Sequence, residues 1–287
     1  MVNPGDEVII FAPYWVSYLE IVKFAGGIPV IISGSIDQDF KVSAQQVADA
    51  ITDKTKLIMF SSPCNPTGSV YSREELLALV EVFKKHPNIY VISDEIYEYI
   101  NFVGKHTSIG SLEGMKDRVI TINGLSKGFA MTGWRLGYLG APKAIAQACE
   151  KIQSQYTSAT SSISQKTAVA ALTGSLEPSM EMVKAFERRK KLMEEGLATI
   201  PGILTNKPEG AFYFFPDISY FLGKKFGEQT IVTATDLCMY LLNEGHVSMV
   251  TGEAFGNENC LRISYAAADE KLLMAIDRMK IALAKLV

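Results

Sequence analysis

The chain has 287 residues, 48% of them apolar, and a formal net charge of -3 with both signs interspersed. That length supports one large or two medium domains, and no run approaches the ~20 apolar residues that span a bilayer. The near-neutral balance argues against nucleic acid as the main partner. The cysteines Cys64, Cys149, Cys238 and Cys260 and the histidines His86, His106 and His246 are isolated from one another in sequence. No metal-ligand spacing results, and the cysteines read as small buried hydrophobes in a reducing compartment. The opening MVNPGDEVIIFAP lacks the apolar stretch of a signal peptide and reads as a turn leading into a strand. A cytoplasmic location is the expectation.

Val8 to Ala12 reads as a strand, Tyr18 to Ala25 as a short helix closed by Gly26-Gly27, and Pro29 to Ser33 as a second strand. Lys56 to Ser61 is a third, ending in the turn Pro63-Cys64-Asn65-Pro66-Thr67-Gly68. Ser72-Arg73-Glu74-Glu75 has the form of a capping box. It opens a helix to Lys85 with Leu76, Leu79, Val80 and Phe83 on one face. Ile89 to Ser93 and Arg118 to Ile122 are further strands, and Leu136 to Leu139 a short sixth.

These strands are continuous apolar runs, the pattern of strands covered on both faces by helices. Their alternation with helices predicts an α/β fold, a mainly parallel sheet sandwiched by helices. Beyond residue 141 the texture changes. Ala144 to Tyr156 reads as a helix, the Ser/Thr-rich stretch TSATSSIS follows, and Glu177 to Ile200 reads as one long helix. The RRKK cluster at Arg188–Lys191 is expected to be that helix's solvated face. The remainder carries an aromatic strand (GAFYFFPDI), a helix around Asp236 to Asn243, the strand CLRISYA and a final helix from Glu270. The expected division is a large domain over residues 1–175, a linking helix over 176–200 and a smaller C-terminal α+β domain over 201–287.

In parallel sheets, ligands sit beyond the carboxyl ends of the strands. Asn65, Asp94 and Lys127 each lie just after a strand, which places them together. Lys127 is either a loop lysine or, desolvated among small and apolar neighbours, a Schiff-base nucleophile. Asp94 either caps a following helix or partners a pyridine nitrogen. Tyr97 is a packing tyrosine or a phenol turned back to the same site, and Asn65 an Asx-turn residue or an amide donor there. Trp15, beside Tyr14, either fills the core or stacks on a ring. Arg135 stands between Gly133 and Gly137, which suit close approach to an anion or a tight bend. Arg262 is the one charge in its apolar strand. It requires a partner, either a structural carboxylate or that of a substrate.

PYWVSY (Pro13–Tyr18), NPTG (Asn65–Gly68), SDEIY (Ser93–Tyr97), SKGFAMTGWRLGY (Ser126–Tyr138) and RISYA (Arg262–Ala266) occur in that order across nearly the whole chain. In content, order and spacing they resemble a fold-type I pyridoxal-phosphate enzyme of the class I/II aminotransferases, and within these the bacterial aspartate aminotransferase branch.

The resemblance implies a pyridoxal 5'-phosphate cofactor on Lys127, which also shuttles the Cα proton, with Asp94 facing the pyridine nitrogen. It implies Asn65 and Tyr97 at the cofactor's 3-oxygen, Trp15 stacked on its ring, Arg135 at its phosphate and Arg262 on the substrate α-carboxylate. Family members often carry a hydroxyl three residues before the lysine. Here Gly124 stands at that place, and Ser126 is the hydroxyl expected to compensate. The implied reaction is ping-pong transfer of an amino group from an L-amino acid, aspartate foremost, to a 2-oxo acid, 2-oxoglutarate foremost, by a homodimer. β-Elimination or decarboxylation would use the same residues, and a cofactor-free lysine enzyme would leave Asp94, Arg135 and Trp15 without a common purpose. The resemblance further implies about one small domain's worth of chain before Asn3, including an edge strand and a phosphate-binding helix start. The sequence is therefore expected to represent the C-terminal part of such an enzyme, and either to hold its cofactor weakly or to be a non-catalytic fragment.

Overall fold

The computed structural model describes residues 1–287. The first unit contains β1 (Glu7–Ala12), α1 (Ser17–Phe24), β2 (Ile28–Ser33), α2 (Ala44–Ala50), β3 (Thr55–Ser61), α3 (Arg73–Lys84), β4 (Tyr90–Asp94), β5 (Val119–Gly124), β6 (Gly137–Gly140), α4 (Lys143–Tyr156) and α5 (Ser162–Thr173). After α6 (Glu177–Leu197) come β7 (Tyr213–Phe214), β8 (Lys225–Phe226), β9 (Gln229–Thr230), α7 (Ala234–Gly245), β10 (Val250–Thr251), β11 (Leu261–Ser264) and α8 (Asp269–Leu283).

Six strands form one sheet in the order β2-β1-β3-β4-β5-β6. The first five run parallel and β6 runs antiparallel to β5. From β1 the chain first builds outward to β2, then crosses back to build β3 to β6 on the other side. The strand order thus reverses between β1 and β3, the place where an open α/β sheet leaves a crevice. Continuous apolar runs predict strands covered on both faces. This holds for β1, where Val8, Ile9 and Ile10 are fully buried, but not for the edge strands β2 and β6, which have no buried residue.

The Ser72 capping box is present: its side chain accepts from the Glu75 amide, and the Glu75 side chain accepts from the Ser72 amide. The helix it opens, α3, buries Leu76, Leu79, Val80 and Phe83 against the sheet. Each such side chain contributes about 1.5–3 kcal/mol of transfer free energy.

Arg118 closes the other end of α3. Its guanidinium donates to the carbonyls of Phe83, His86 and Ile89, and the residue is 9% exposed. A fixed cation thus adds donors to three carbonyls of the last helical turn and the loop that follows it. Arg118→Ala is expected to destabilise the chain by about 2–3 kcal/mol, read as a lower urea midpoint with unchanged slope.

Two helices escape the periodicity. α2 is only seven residues long. α5 grows out of the Ser/Thr-rich stretch, where low helix propensity hides it. Side-chain bonds anchor α5: Ser164 donates to the Trp134 carbonyl and Thr167 to that of Ile163. The aromatic strand expected over GAFYFFPDI shortens to Tyr213–Phe214. Ala211 takes a positive φ of 54° before it, and Pro216 after it has no amide to donate.

In the second unit, Met193 and Leu197 of α6 share one core with Leu237 and Leu241 of α7, Leu261 and Ile263 of β11, and Ile276 of α8. The RRKK run is only partly the solvated face expected of it. Arg188 and Arg189 both reach Asp269 at the first residue of α8, at 2.9 and 3.0 Å. These two bonds hold the Asp269 carboxyl down at about 2. Cys238 and Cys260 are buried as expected. Cys149 is exposed, because α4 presents no buried residue at all. No helix is long and apolar enough to cross a membrane.

Candidate active site

A cleft of ≈ 300 Å³ opens at the carboxyl ends of four adjacent strands. Trp15 and Tyr18 reach it from beyond β1, Ser61 and Asn65 from β3 and its turn, Asp94 and Tyr97 from the end of β4 and the turn after it, and Ser126 and Lys127 from beyond β5. Thr132 and Arg135 complete the polar wall. Seven of the eight residues singled out from the sequence therefore line one cavity. The eighth, Arg262, comes from β11 of the second unit and donates through Nη1 to Asn65 Oδ1 at 3.0 Å.

Lys127 is half-buried, with its Nζ 5.8 Å from the ring centroids of both Tyr97 and Phe212. Burial, and then the Arg262 and Arg135 charges, lower its ammonium below the ordinary lysine value. Gly128 follows because a Cβ there would meet the Tyr99 ring at 2.7 Å. Gly124 has an equally local reason: a Cβ would sit 3.0 Å from Gly137 Cα and 3.2 Å from Ile96 Cδ1. The glycine at 137 is thereby explained by β5–β6 contact rather than by approach to an anion. Arg135 itself makes the tight bend, with φ 51°, and donates to the Thr132 carbonyl.

Asp94 ends β4 with its carboxylate turned into the cleft. Oδ1 accepts from the Ile96 amide and Oδ2 from the Tyr18 hydroxyl at 2.5 Å. Burial raises its pKa above the usual carboxylate value, partly offset by those two bonds. Tyr18 is the main residue the sequence reading missed. It was legible only as a tyrosine in the first turn of the helix after β1, three residues beyond Trp15. Tyr18→Phe is expected to weaken the hold on any cationic group bound at Asp94 by about tenfold. Retention of that group on dilution measures the loss.

The adjacent Glu95 points the other way and is 2% exposed. It accepts from Ser93 and Ser108 and lies 3.0 Å from His106 Nε2. His106 is thus not isolated in space, although it is in sequence. Trp15 does not fill the core: it is 41% exposed at the cleft mouth and packs edge-on to Tyr18. Tyr14, beside it, is the core residue, 6% exposed. Tyr97 is 2% exposed, and its hydroxyl lies 2.8 Å from that of Tyr213, a second residue not found from the sequence.

Arg262 has no protein carboxylate as partner; its Nε is buried without an acceptor, and a buried guanidinium in that state favours an anion. A lysine of lowered pKa, a buried carboxylate short of a cation, and two arginines free to receive anions therefore share one crevice of a mainly parallel sheet. The sequence matches the family Aminotransferase class I and II over residues 1–279, and the chain belongs to that family.

Two curated relatives narrow the comparison. A bifunctional aspartate aminotransferase and glutamate/aspartate-prephenate aminotransferase of Petunia hybrida is 48% identical over 98% of this chain and 60% of its own length. An aspartate aminotransferase of Pinus pinaster is 45% identical over 97% of this chain and 58% of its own. The chain thus spans about three-fifths of the length of these relatives. Among solved structures, the aspartate aminotransferase of Rhizobium meliloti superposes with a TM-score of 0.96 at 41% identity, covering 100% of this chain and 72% of that one.

Proposed function

We propose that this chain carries the cofactor site of a pyridoxal 5'-phosphate-dependent aminotransferase. In this reading it transfers an amino group from an L-amino acid, aspartate foremost, to a 2-oxo acid, 2-oxoglutarate foremost. The observation that carries the reading is the convergence of Lys127, Asp94, Tyr97, Asn65 and Arg135 from separate strand ends on one cleft, with Arg262 bonded at its edge.

The donor set suits the cofactor. The buried Asp94 carboxylate has hydrogen bonds but no cation against it, and a protonated ring nitrogen supplies one. Asn65 and Tyr97 would hold the 3-oxygen, Ser126 and Arg135 the phosphate, and Trp15 one face of the ring. The cleft volume lies at the small end of ligand sites, in keeping with a single-ring cofactor. When bound, pyridoxal phosphate provides an electron sink for the charge left as a Cα–H bond breaks.

The protein's own contribution is position and proton transfer. Because its pKa is lowered, Lys127 keeps its amine form to lower pH than an ordinary lysine, which suits it to attack a carbonyl and to move the Cα proton. Arg262 is placed to grip the substrate α-carboxylate with donors not used by Asn65. Gripped at that end, the substrate has its Cα–H bond held toward Lys127, and orientation of this kind contributes several kcal/mol. The same site serves both halves of a ping-pong cycle, because amino acid and 2-oxo acid share the carboxylate.

The wider reading includes a large unit over residues 1–175, a linking helix over 176–200, a small unit over 201–287, and a homodimer working in the cytoplasm. The core shared by α6, α7 and α8 supports the second unit, and would assign much of the linking helix to it. Incubation with L-aspartate and 2-oxoglutarate is expected to yield oxaloacetate and glutamate. Pyruvate and ammonia from L-cystathionine, without amino transfer, would overturn the reading in favour of a lyase.

A further inference from the structure

We propose that Tyr213 is a positioning residue for this site: its hydroxyl sets the direction of the Tyr97 phenol while its ring seats the Arg262 guanidinium. The proposal rests on the aminotransferase reading and adds to it a single side chain that ties the cofactor side of the cleft to the substrate side.

Register places Tyr213 to do both. On β7 it pairs with Ser264 of β11, and Arg262, two residues earlier on β11, projects from the same face. The Arg262 Cζ lies 4.7 Å from the Tyr213 ring centroid and 4.8 Å from that of Phe255. Two aromatic rings therefore lie against a guanidinium that bonds Asn65 through Nη1 and whose Nε has no acceptor. Ring contact of this kind holds the plane of an arginine without consuming its hydrogen-bond donors. The residue is fit to receive a carboxylate because ring contacts stabilise it while leaving Nε without an acceptor.

The hydroxyl does a different task. Tyr97 and Tyr213 are 2% and 5% exposed, and their oxygens are 2.8 Å apart. Burial raises both phenols above the ordinary tyrosine value, so each keeps its proton at neutral pH. Two protons are available, and one suffices for the bond between them. When Tyr213 donates it, the Tyr97 oxygen is satisfied as an acceptor and its own proton is left for an acceptor in the cleft. Without the Tyr213 hydroxyl, nothing else bonded to Tyr97 fixes that orientation. With pyridoxal phosphate bound, a Tyr97 phenol donating to its 3-oxygen would stabilise negative charge there and favour the deprotonated form that the visible band reports. Losing the orientation would therefore raise the pH midpoint of that band.

The test uses the full chain loaded with pyridoxal 5'-phosphate, its visible absorbance band titrated against pH, together with binding of the unreactive dicarboxylate maleate. Tyr213→Phe is expected to raise the midpoint by about one pH unit and to leave maleate affinity unchanged, since the ring remains. Tyr213→Leu is expected to give the same shift and about tenfold weaker maleate binding. In a Tyr97→Phe background, Tyr213→Phe is expected to add no further shift, because its effect runs through the Tyr97 oxygen. An unmoved midpoint in Tyr213→Phe, a shift that persists without the Tyr97 hydroxyl, or parental maleate affinity in Tyr213→Leu would overturn the proposal. A parent chain that gives no visible band would instead count against the aminotransferase reading. Fluorine NMR of the cofactor-free chain, with fluorotyrosine incorporated and the Tyr97 signal assigned by Tyr97→Phe, then decides the hydroxyl pair by itself. A Tyr97 signal that moves on Tyr213→Phe supports the pair, and one that stays put overturns it.

Discussion

Replacing Lys127 with alanine is expected to remove the visible absorbance of the cofactor-loaded chain and to lower amino-group transfer by about 10⁴-fold. The expectation follows from what surrounds the amine. Its Nζ sits among aromatic rings, and its charge is opposed by burial and by Arg262 and Arg135. A lysine so placed gains little stability from its charge and is poised to lose a proton. The cofactor-free Lys127→Ala chain should therefore unfold no earlier than the parent, which separates a chemical role from a structural one. The pH dependence has a definite sign. The ammonium is the inactive form, so the rate falls as pH drops through the lowered lysine value, and Lys127→Arg, which holds its proton throughout, should be as inactive as alanine. A variant that keeps the band and a parental rate would remove Lys127 from the mechanism.

Asp94→Asn is expected to move binding and stability in opposite directions. The folded Asp94 carboxyl has a pKa above its unfolded value of 3.8, with burial as the first cause. The folded state therefore binds the proton more tightly, and the cofactor-free chain loses stability as pH rises from that value through the folded one. Asparagine removes this loss, so at neutral pH the cofactor-free variant should have the higher thermal midpoint. Cofactor retention should fall about 10²- to 10³-fold, the cost of taking one charge from a buried, hydrogen-bonded pair. Paired melting curves with and without added pyridoxal phosphate read both effects. A variant less stable when empty would show that Asp94 is held for the fold rather than for a ligand.

The sheet was legible because its strands are long apolar runs punctuated by glycine and proline, and the Ser72 capping box marked α3 without ambiguity. α5 was not, because its first turn, Ser162–Gln165, continues a Ser/Thr-rich stretch of low helix propensity, and the Ser164 bond to the Trp134 carbonyl exists only in the fold. The site was legible where a residue's place after a strand fixed its position, as for Asp94 and Lys127. It was not legible for Tyr18 and Tyr213, two tyrosines among 12. Their importance lies in hydrogen bonds that span 76 and 116 positions of the chain. Spacing along the sequence carries no trace of such a pair. Gly124 illustrates the same limit: read against the family it marked a missing hydroxyl, and only the closeness of Gly137 Cα and Ile96 gives it a local cause.

The bond from Arg262 to Asn65 joins groups 197 positions apart, and with the Tyr97–Tyr213 contact it makes the site a record of how far folding has gone. Neither bond can form until β7 and β11, which carry Tyr213 and Arg262, have packed against the large sheet. A form with those strands detached would keep Lys127 and Asp94 in place yet present neither the arginine nor the fixed phenol to the cleft. Ligands that use both sides of the cleft therefore bind only the docked state and draw population toward it by mass action. Protection of the β7 and β11 amides from hydrogen exchange should accordingly rise with substrate-analogue concentration, while that of β3 and β4 stays level.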